Sequence, residues 1–202
     1  ARIDDNQDVY TPDKFLNIAI SSGKYHIITQ TMIRKTFLYF QDISDVKFSI
    51  NIGLSDILNE DTMQLLFENL KQYKYSSNVI IELLETEEIS DFELLNNFIK
   101  KVKSYNAKIA IDDFGSGYSN FNYIMHLDID IVKLDSSLIE NMYTDQHVVV
   151  IVSNIIKTIK ELGLEVVAEN VYSQEIADIL IEHDVDYLQG FYIGKANKDI
   201  EK

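Results

Sequence analysis

The sequence predicts an α/β barrel of the TIM type, on three observations. Short β-branched runs alternate with amphipathic helical stretches along the whole chain. Polar residues gather toward the C-terminal ends of those runs, where βα barrels keep their chemistry. Six runs are visible rather than eight, in 202 residues rather than about 250. The expectation is therefore a single barrel domain over 1–202 whose N-terminal strand or strands lie outside this chain.

The first strand is expected at Lys47–Ile52 and the second at Val79–Leu84. Lys108–Asp113, Ile131–Asp135, Glu165–Glu169 and Tyr187–Tyr192 follow. Each is short and rich in Ile, Val or aromatic residues, as buried strands are. Helices are expected at Asp13–Ser21 and Ile27–Phe40 before the first strand. Four more are expected at Asp61–Lys71, Asp91–Lys103, Asp145–Leu162 and Ser173–His183. In the fourth helical stretch Phe92, Leu95, Phe98, Ile99 and Val102 recur at helical spacing. Asp and Ser near the helix starts suit caps, and Gly163 suits a helix C-terminus.

Charge and composition exclude several classes. Asp and Glu number 33 against 18 Lys and Arg, a net charge of -15, which argues against a surface that tracks DNA or RNA. There is no Cys, hence no disulfide scaffold and no thiolate metal site. No apolar run reaches the roughly 18 residues of a membrane span, and no secretion signal opens the chain. An anionic ligand stays compatible if a metal cation supplies positive charge locally.

The polar strand residues are Asn51, Glu82, Asp112, Asp113, Lys133, Asp135, Glu169 and Gln189. Period-2 alternation puts Lys133 and Asp135 on one face, and Ala110 with Asp112 on one face. Glu82, Asp112, Asp113 and Glu169 converging at a barrel mouth would repel one another, and a divalent cation would relieve this. Carboxylates with an Asn amide suit Mg2+, Mn2+ or Ca2+ rather than Zn2+. Adjacent Asp112 and Asp113 suit two ions, as used for in-line phosphoryl displacement. Lys133 would orient a water or neutralise a phosphate oxygen. Plainer readings stand beside these. Asp112 and Asp113 equally fit a helix cap or a turn, and Glu87 and Glu88 a solvated helix start. Gly115, Ser116 and Gly117 read better as lid glycines than as a phosphate loop. His26, His126, His147 and His183 lack metal-ligand spacing. The run Val148–Val152 fits core, or a dimer interface.

At Ile111-Asp112-Asp113-Phe114-Gly115-Ser116-Gly117-Tyr118-Ser119 the sequence resembles the EAL-domain family of bacterial cyclic di-GMP phosphodiesterases. Lys133-Leu134-Asp135 is similar to the family's Lys-x-Asp strand. Val167-Ala168-Glu169-Asn170-Val171 is similar to its Val-Ala-Glu-Gly-Val segment, and Asp186–Phe191 to its Asp-x-x-Gln-Gly-aromatic strand. Ser49-Ile50-Asn51, Glu82-Leu83-Leu84-Glu85 and Thr11-Pro12-Asp13-Lys14-Phe15 also match family stretches in order. The resemblance runs from about Arg2 to Lys195.

The resemblance implies a TIM-like barrel with a divalent-metal cluster, Mg2+ or Mn2+, in two ions. Asn51, Glu82 and Asp112 would hold one and Asp112 with Asp113 the other. Lys133 would contact the attacking water, and Glu169 would act as general base or metal partner. Gln189, Arg2 and Asp135 would contact the nucleotide. Glu85 would anchor the lid loop of Phe114, Gly115, Ser116 and Gly117, linking it to dimerisation. The implied reaction opens cyclic di-GMP to linear pGpG. A homodimer, a cytoplasmic site and covalently linked upstream sensory or cyclase domains would accompany it. The departures matter too. The family's Glu-Ala-Leu motif would fall just before Ala1, so the chain as printed lacks a metal-ligating Glu and is expected to be impaired. Tyr172 stands where the family has Glu, Leu84 where it has Thr, Asn170 where it usually has Gly, and Ile20 where it has an acid. Two other functions compete. One is a degenerate module that binds cyclic di-GMP or a protein without cleavage. The other is an unrelated metal barrel in which Lys133 abstracts a carbon-bound proton.

Overall fold

The computed structural model describes residues 3–4, 8–84, 92–116 and 120–197. A short antiparallel pair opens the chain, β1 (Ile3–Asp4) with β2 (Val9–Tyr10). Pro12 then starts α1 (Pro12–Ser21), its fixed φ suiting the first helical turn. In α2 (Tyr25–Phe40), Thr29, Ile33 and Phe37 are buried at four-residue spacing, which places one stripe of the helix against the sheet.

A parallel βα alternation follows. The order is β3 (Phe48–Ile52), α3 (Leu54–Ile57), α4 (Glu60–Gln72), β4 (Val79–Leu83) and α5 (Phe92–Lys103). Next come β5 (Lys108–Phe114), α6 (Asn120–His126), β6 (Ile131–Leu134), α7 (Ser136–Ile139) and α8 (Gln146–Glu161). β7 (Glu165–Ala168), α9 (Gln174–Glu182) and β8 (Tyr187–Leu188) complete it. The main helices lie where the apolar period put them, and several begin on side-chain caps. Asn59 accepts from the Thr62 amide at 2.9 Å, Asp145 from the His147 amide at 2.8 Å, and Ser173 from the Ile176 amide at 3.4 Å.

β3 to β8 form one six-stranded parallel sheet in sequence order. A flat sheet of six would set its outer strands about 24 Å apart. Here the Lys47 ammonium, just before β3, donates to the Tyr187 hydroxyl of β8 at 3.0 Å. The sheet is therefore rolled, with its two outer strands meeting through side chains. Its convex face carries Ile50, Ile52, Val79, Ile81, Ile109, Ile111, Val132, Leu134 and Val166, all buried beneath the helices. Its concave face carries Ser49, Asn51, Glu82, Ala110, Lys133, Val167, Tyr187 and Gln189 around the interior. Burying the first set beneath the helices removes a continuous apolar face from water.

The last strand is shorter than expected. It ends at Leu188, because the backbone then turns against β7: Tyr192 donates to the Val171 carbonyl, and Ile193 to that of Gly190. A Cβ on Gly190 would stand 2.2 Å from the Val171 oxygen, so only glycine permits this approach. Among the described residues no helix is long and apolar enough to cross a membrane.

Candidate functional site

Lys133 is the centre of the site. β6 is covered on its convex side, and alternation turns Lys133 into the barrel interior between Val132 and Leu134. Only 5% of the residue is exposed. Its ammonium lies 2.7 Å from Asp112, 2.8 Å from Glu169 and 3.2 Å from Glu82. Burial alone would lower the Lys133 pKa. The Glu82 charge and the hydrogen bonds to Asp112 and Glu169 more than reverse this and hold it well above the usual lysine range.

Each carboxylate reaches this point from a different strand. Glu82 belongs to β4, in register with Asn51 of β3, so both project from the same face of the sheet. Glu169 follows β7, and its amide donates to the Leu134 carbonyl at 3.2 Å, which fixes it beside β6. Asp112 ends the regular part of β5. Asp113 would face the other way in a regular strand, since consecutive residues alternate. The ladder between β5 and β6 shifts between Ile111 and Phe114, and Asp113 takes φ 56°. This bulge breaks the alternation, and oxygens of Asp112, Asp113 and Glu169 lie within 4.8 Å of one another.

That cluster fits a hard divalent cation. Glu169 is held above the usual carboxylate range by burial, against the opposing bond from Lys133. Asp113 is likewise raised, first by burial and then by the charges of Asp112 and Asp135. One ammonium cannot balance four carboxylates in so dry a place, and all-oxygen donors suit Mg2+, Mn2+ or Ca2+. A cation there would offset both the burial of these charges and their mutual repulsion.

The remaining expected residues are placed as follows. Gln189 joins Glu82 and Lys133 in lining a cavity of about 690 Å3 inside the barrel. Asn51 shares with Glu82 a second cavity of about 370 Å3 beneath α1 and α2. Asp135 caps α7: its Oδ1 accepts from the Ser137 amide at 2.9 Å. Burial pushes the Asp135 pKa up, and the bonds from Ser137 and Ser136 bring it below its ordinary value. Phe114 is buried, edge-on to Phe121 at 5.2 Å. Ser116 closes a turn onto the Asp113 carbonyl at 3.1 Å, and Gly115 rests against Leu138. Arg2, Glu85 and Gly117 lie outside the described residues.

Sequence reasoning missed Lys108 and Glu165, which form an ion pair inside the rolled sheet from β5 to β7. The same period-2 count that found Lys133 would have reached both. It also missed that the Tyr172 hydroxyl donates to the Glu140 carbonyl at 2.8 Å.

The family profile described as EAL domain matches residues 1–196. The cyclic di-GMP phosphodiesterase PdeA of Borreliella burgdorferi is 34% identical over 145 residues, which is 71% of this chain and 22% of that protein. The chain thus spans less than a quarter of that relative's length. An EAL-domain protein from Listeria monocytogenes EGD-e superposes with a TM-score of 0.82 at 28% identity, over 96% of this chain and 78% of that one. The FimX EAL domain of Xanthomonas citri, solved in complex with c-diGMP, gives 0.88 at 18% identity, over 100% of this chain and 81% of that one. The rolled six-stranded parallel sheet is therefore the α/β fold of EAL-domain barrels.

Proposed function

Because this chain belongs to the EAL domain family, we propose that it is the hydrolytic domain of a cyclic di-GMP phosphodiesterase, converting cyclic di-GMP to linear pGpG. The observation that carries this reading is the buried Lys133 ammonium ringed by Glu82, Asp112 and Glu169, with Asp113 brought in by a bulge. Asn51, Glu82, Asp112 and Asp113 would hold two divalent ions, Mg2+ or Mn2+. When bound, these ions supply Lewis acidity toward the phosphate oxygens and the attacking water.

The chain's own groups do the rest. Lys133 donates to the attacking water and fixes its line of approach to phosphorus. Glu169 accepts a proton from that water. The water oxygen bonds to phosphorus, the bond from phosphorus to O3′ breaks, and a proton passes to the departing O3′. Gln189, Asp135 and Arg2 orient the dinucleotide, while Glu85 anchors the lid loop Phe114–Gly117. The reading includes a cytoplasmic homodimer, one domain over 1–202, and covalently linked sensory or cyclase domains.

The test is chromatographic detection of pGpG after incubation of the full-length protein with cyclic di-GMP and Mn2+. Turnover that EDTA abolishes is the expected result. Cyclic di-GMP binding without cleavage, in a folded and Mn2+-loaded protein, would overturn it in favour of a binding module.

A further inference from the structure

Two loops bring acids to the cluster. One is the bulged end of β5 at Asp113 with the turn through Gly115 and Ser116 that follows it; the other follows β7 and runs from Glu169 to Tyr172. Both rest on the single turn of α7. The backbone of Gly115 lies so close to Leu138 that a Cβ there would stand 2.3 Å from its Cδ1 and 2.6 Å from its Cγ. On the other side the Tyr172 hydroxyl donates to the carbonyl of Glu140, the residue that ends α7. That carbonyl is one of those a helix end leaves without an internal partner, so the phenol satisfies it.

α7 is itself well fixed. Asp135 caps its start, the Asp135 amide donates to the Phe114 carbonyl at 3.0 Å, and Ile139 is fully buried. The second loop passes through Asn170 at φ 54° in the left-handed region, and its backbone is held on its other side, by the Glu169 amide to the Leu134 carbonyl at 3.2 Å and the Val171 amide to the Gln189 carbonyl at 3.0 Å. Tyr172 is 51% exposed, so its hydroxyl contact rather than burial of its ring ties it down.

We propose that Tyr172 is a positioning residue. Its bond to Glu140 clamps the Glu169 loop to α7, the same turn that carries the Asp113 loop, so the two acidic loops share one support and keep one spacing. The residue that departs from the family's Glu thus serves the cluster from a distance. The effect on metal binding rests on the reading of the cluster as a cation site; the shared support does not.

Tyr172→Phe removes one oxygen and keeps the ring. Mn2+ binding, followed by calorimetry without substrate, should weaken roughly 10-fold, as for other groups that orient metal ligands. NMR amide exchange should accelerate several-fold at Val171 and also at Gly115 and Ser116, which Tyr172 does not touch. Exchange in the middle of α9 should stay unchanged. Acceleration confined to 169–172, or no change at all, would overturn the proposal. If the unaltered protein fails to bind Mn2+, the metal reading falls, and the exchange at Gly115 and Ser116 still decides the shared support. Leu138→Ala supplies a second variant, expected to accelerate exchange on both loops; acceleration at 113–116 only would count against the proposal.

Discussion

Lys133→Met would separate the two charges that compete for the acidic cluster. In the metal-free protein the Lys133 ammonium faces two buried carboxylates, Asp112 at 2.7 Å and Glu82 at 3.2 Å, and the half-buried Glu169 at 2.8 Å. With an effective dielectric of about 20 each contact is worth roughly 5–6 kcal/mol of gross attraction. Desolvation cancels most of that, and removing one partner of a buried pair typically costs about 3–5 kcal/mol. In a chain of 202 residues this lowers Tm by about 6–20 °C. Met fills most of the volume, so the loss is electrostatic rather than a cavity. Divalent cation should restore much of it: Mn2+ at about 100 times its Kd adds roughly 2.7 kcal/mol. The Tm gain on adding Mn2+ should also be larger in the variant, because the ammonium no longer occupies the same oxygens. The sign with pH follows from the raised lysine pKa. The stabilisation is complete below the ordinary value of 10.5 and is lost only as pH rises through the higher folded value, so the parent's share stays constant from pH 7 to 9. Thermal melts with EDTA and with Mn2+ measure all of this. A metal-free variant melting within about 2 °C of the parent would refute the reasoning, as would a Mn2+ gain larger in the parent.

Gly115→Ala places a methyl group 2.3 Å from Leu138 at a residue with φ +107°, and should cost about 1–3 kcal/mol in urea unfolding; an unchanged midpoint would show that the loop does not rest on α7. Asp56 is fully buried, and burial raises its carboxyl above the ordinary range although the Gly53 amide donates to it at 3.2 Å. A raised carboxyl means that the folded state holds its proton longer, so stability falls as pH rises through the folded value. Asp56→Asn should therefore raise Tm most at pH values above the folded value, and by less as pH falls through it toward 3.8; an effect independent of pH over that range would contradict the assignment.

Much of the site was legible because charge on a buried strand is rare. Lys133 between Val132 and Leu134 pointed to a buried strand, and alternation aligned it with the concave face where Glu82 and Asp112 are found. The motif order carried the family. What escaped was geometry that no residue type encodes. Asp112 and Asp113 read as neighbours, but only the left-handed Asp113 and the slipped register put both into one cluster. α7 is a single turn, too short to show a helical period. Tyr172 looked like a lost acid because its partner is a backbone carbonyl, which the sequence does not specify. The capping bond of Asp135 was hidden by the same short helix.

The hydrogen bond from Lys47 to Tyr187 has a kinetic meaning. Every ladder in the rolled sheet joins strands consecutive in the chain, so each can close over a modest loop as its helix folds. The meeting of the outer strands instead spans 140 positions. It can form only after β8 has docked, and contacts of such long range slow folding most. The barrel should therefore zip from strand to strand and latch last, and under stress that latch should be the first part to open.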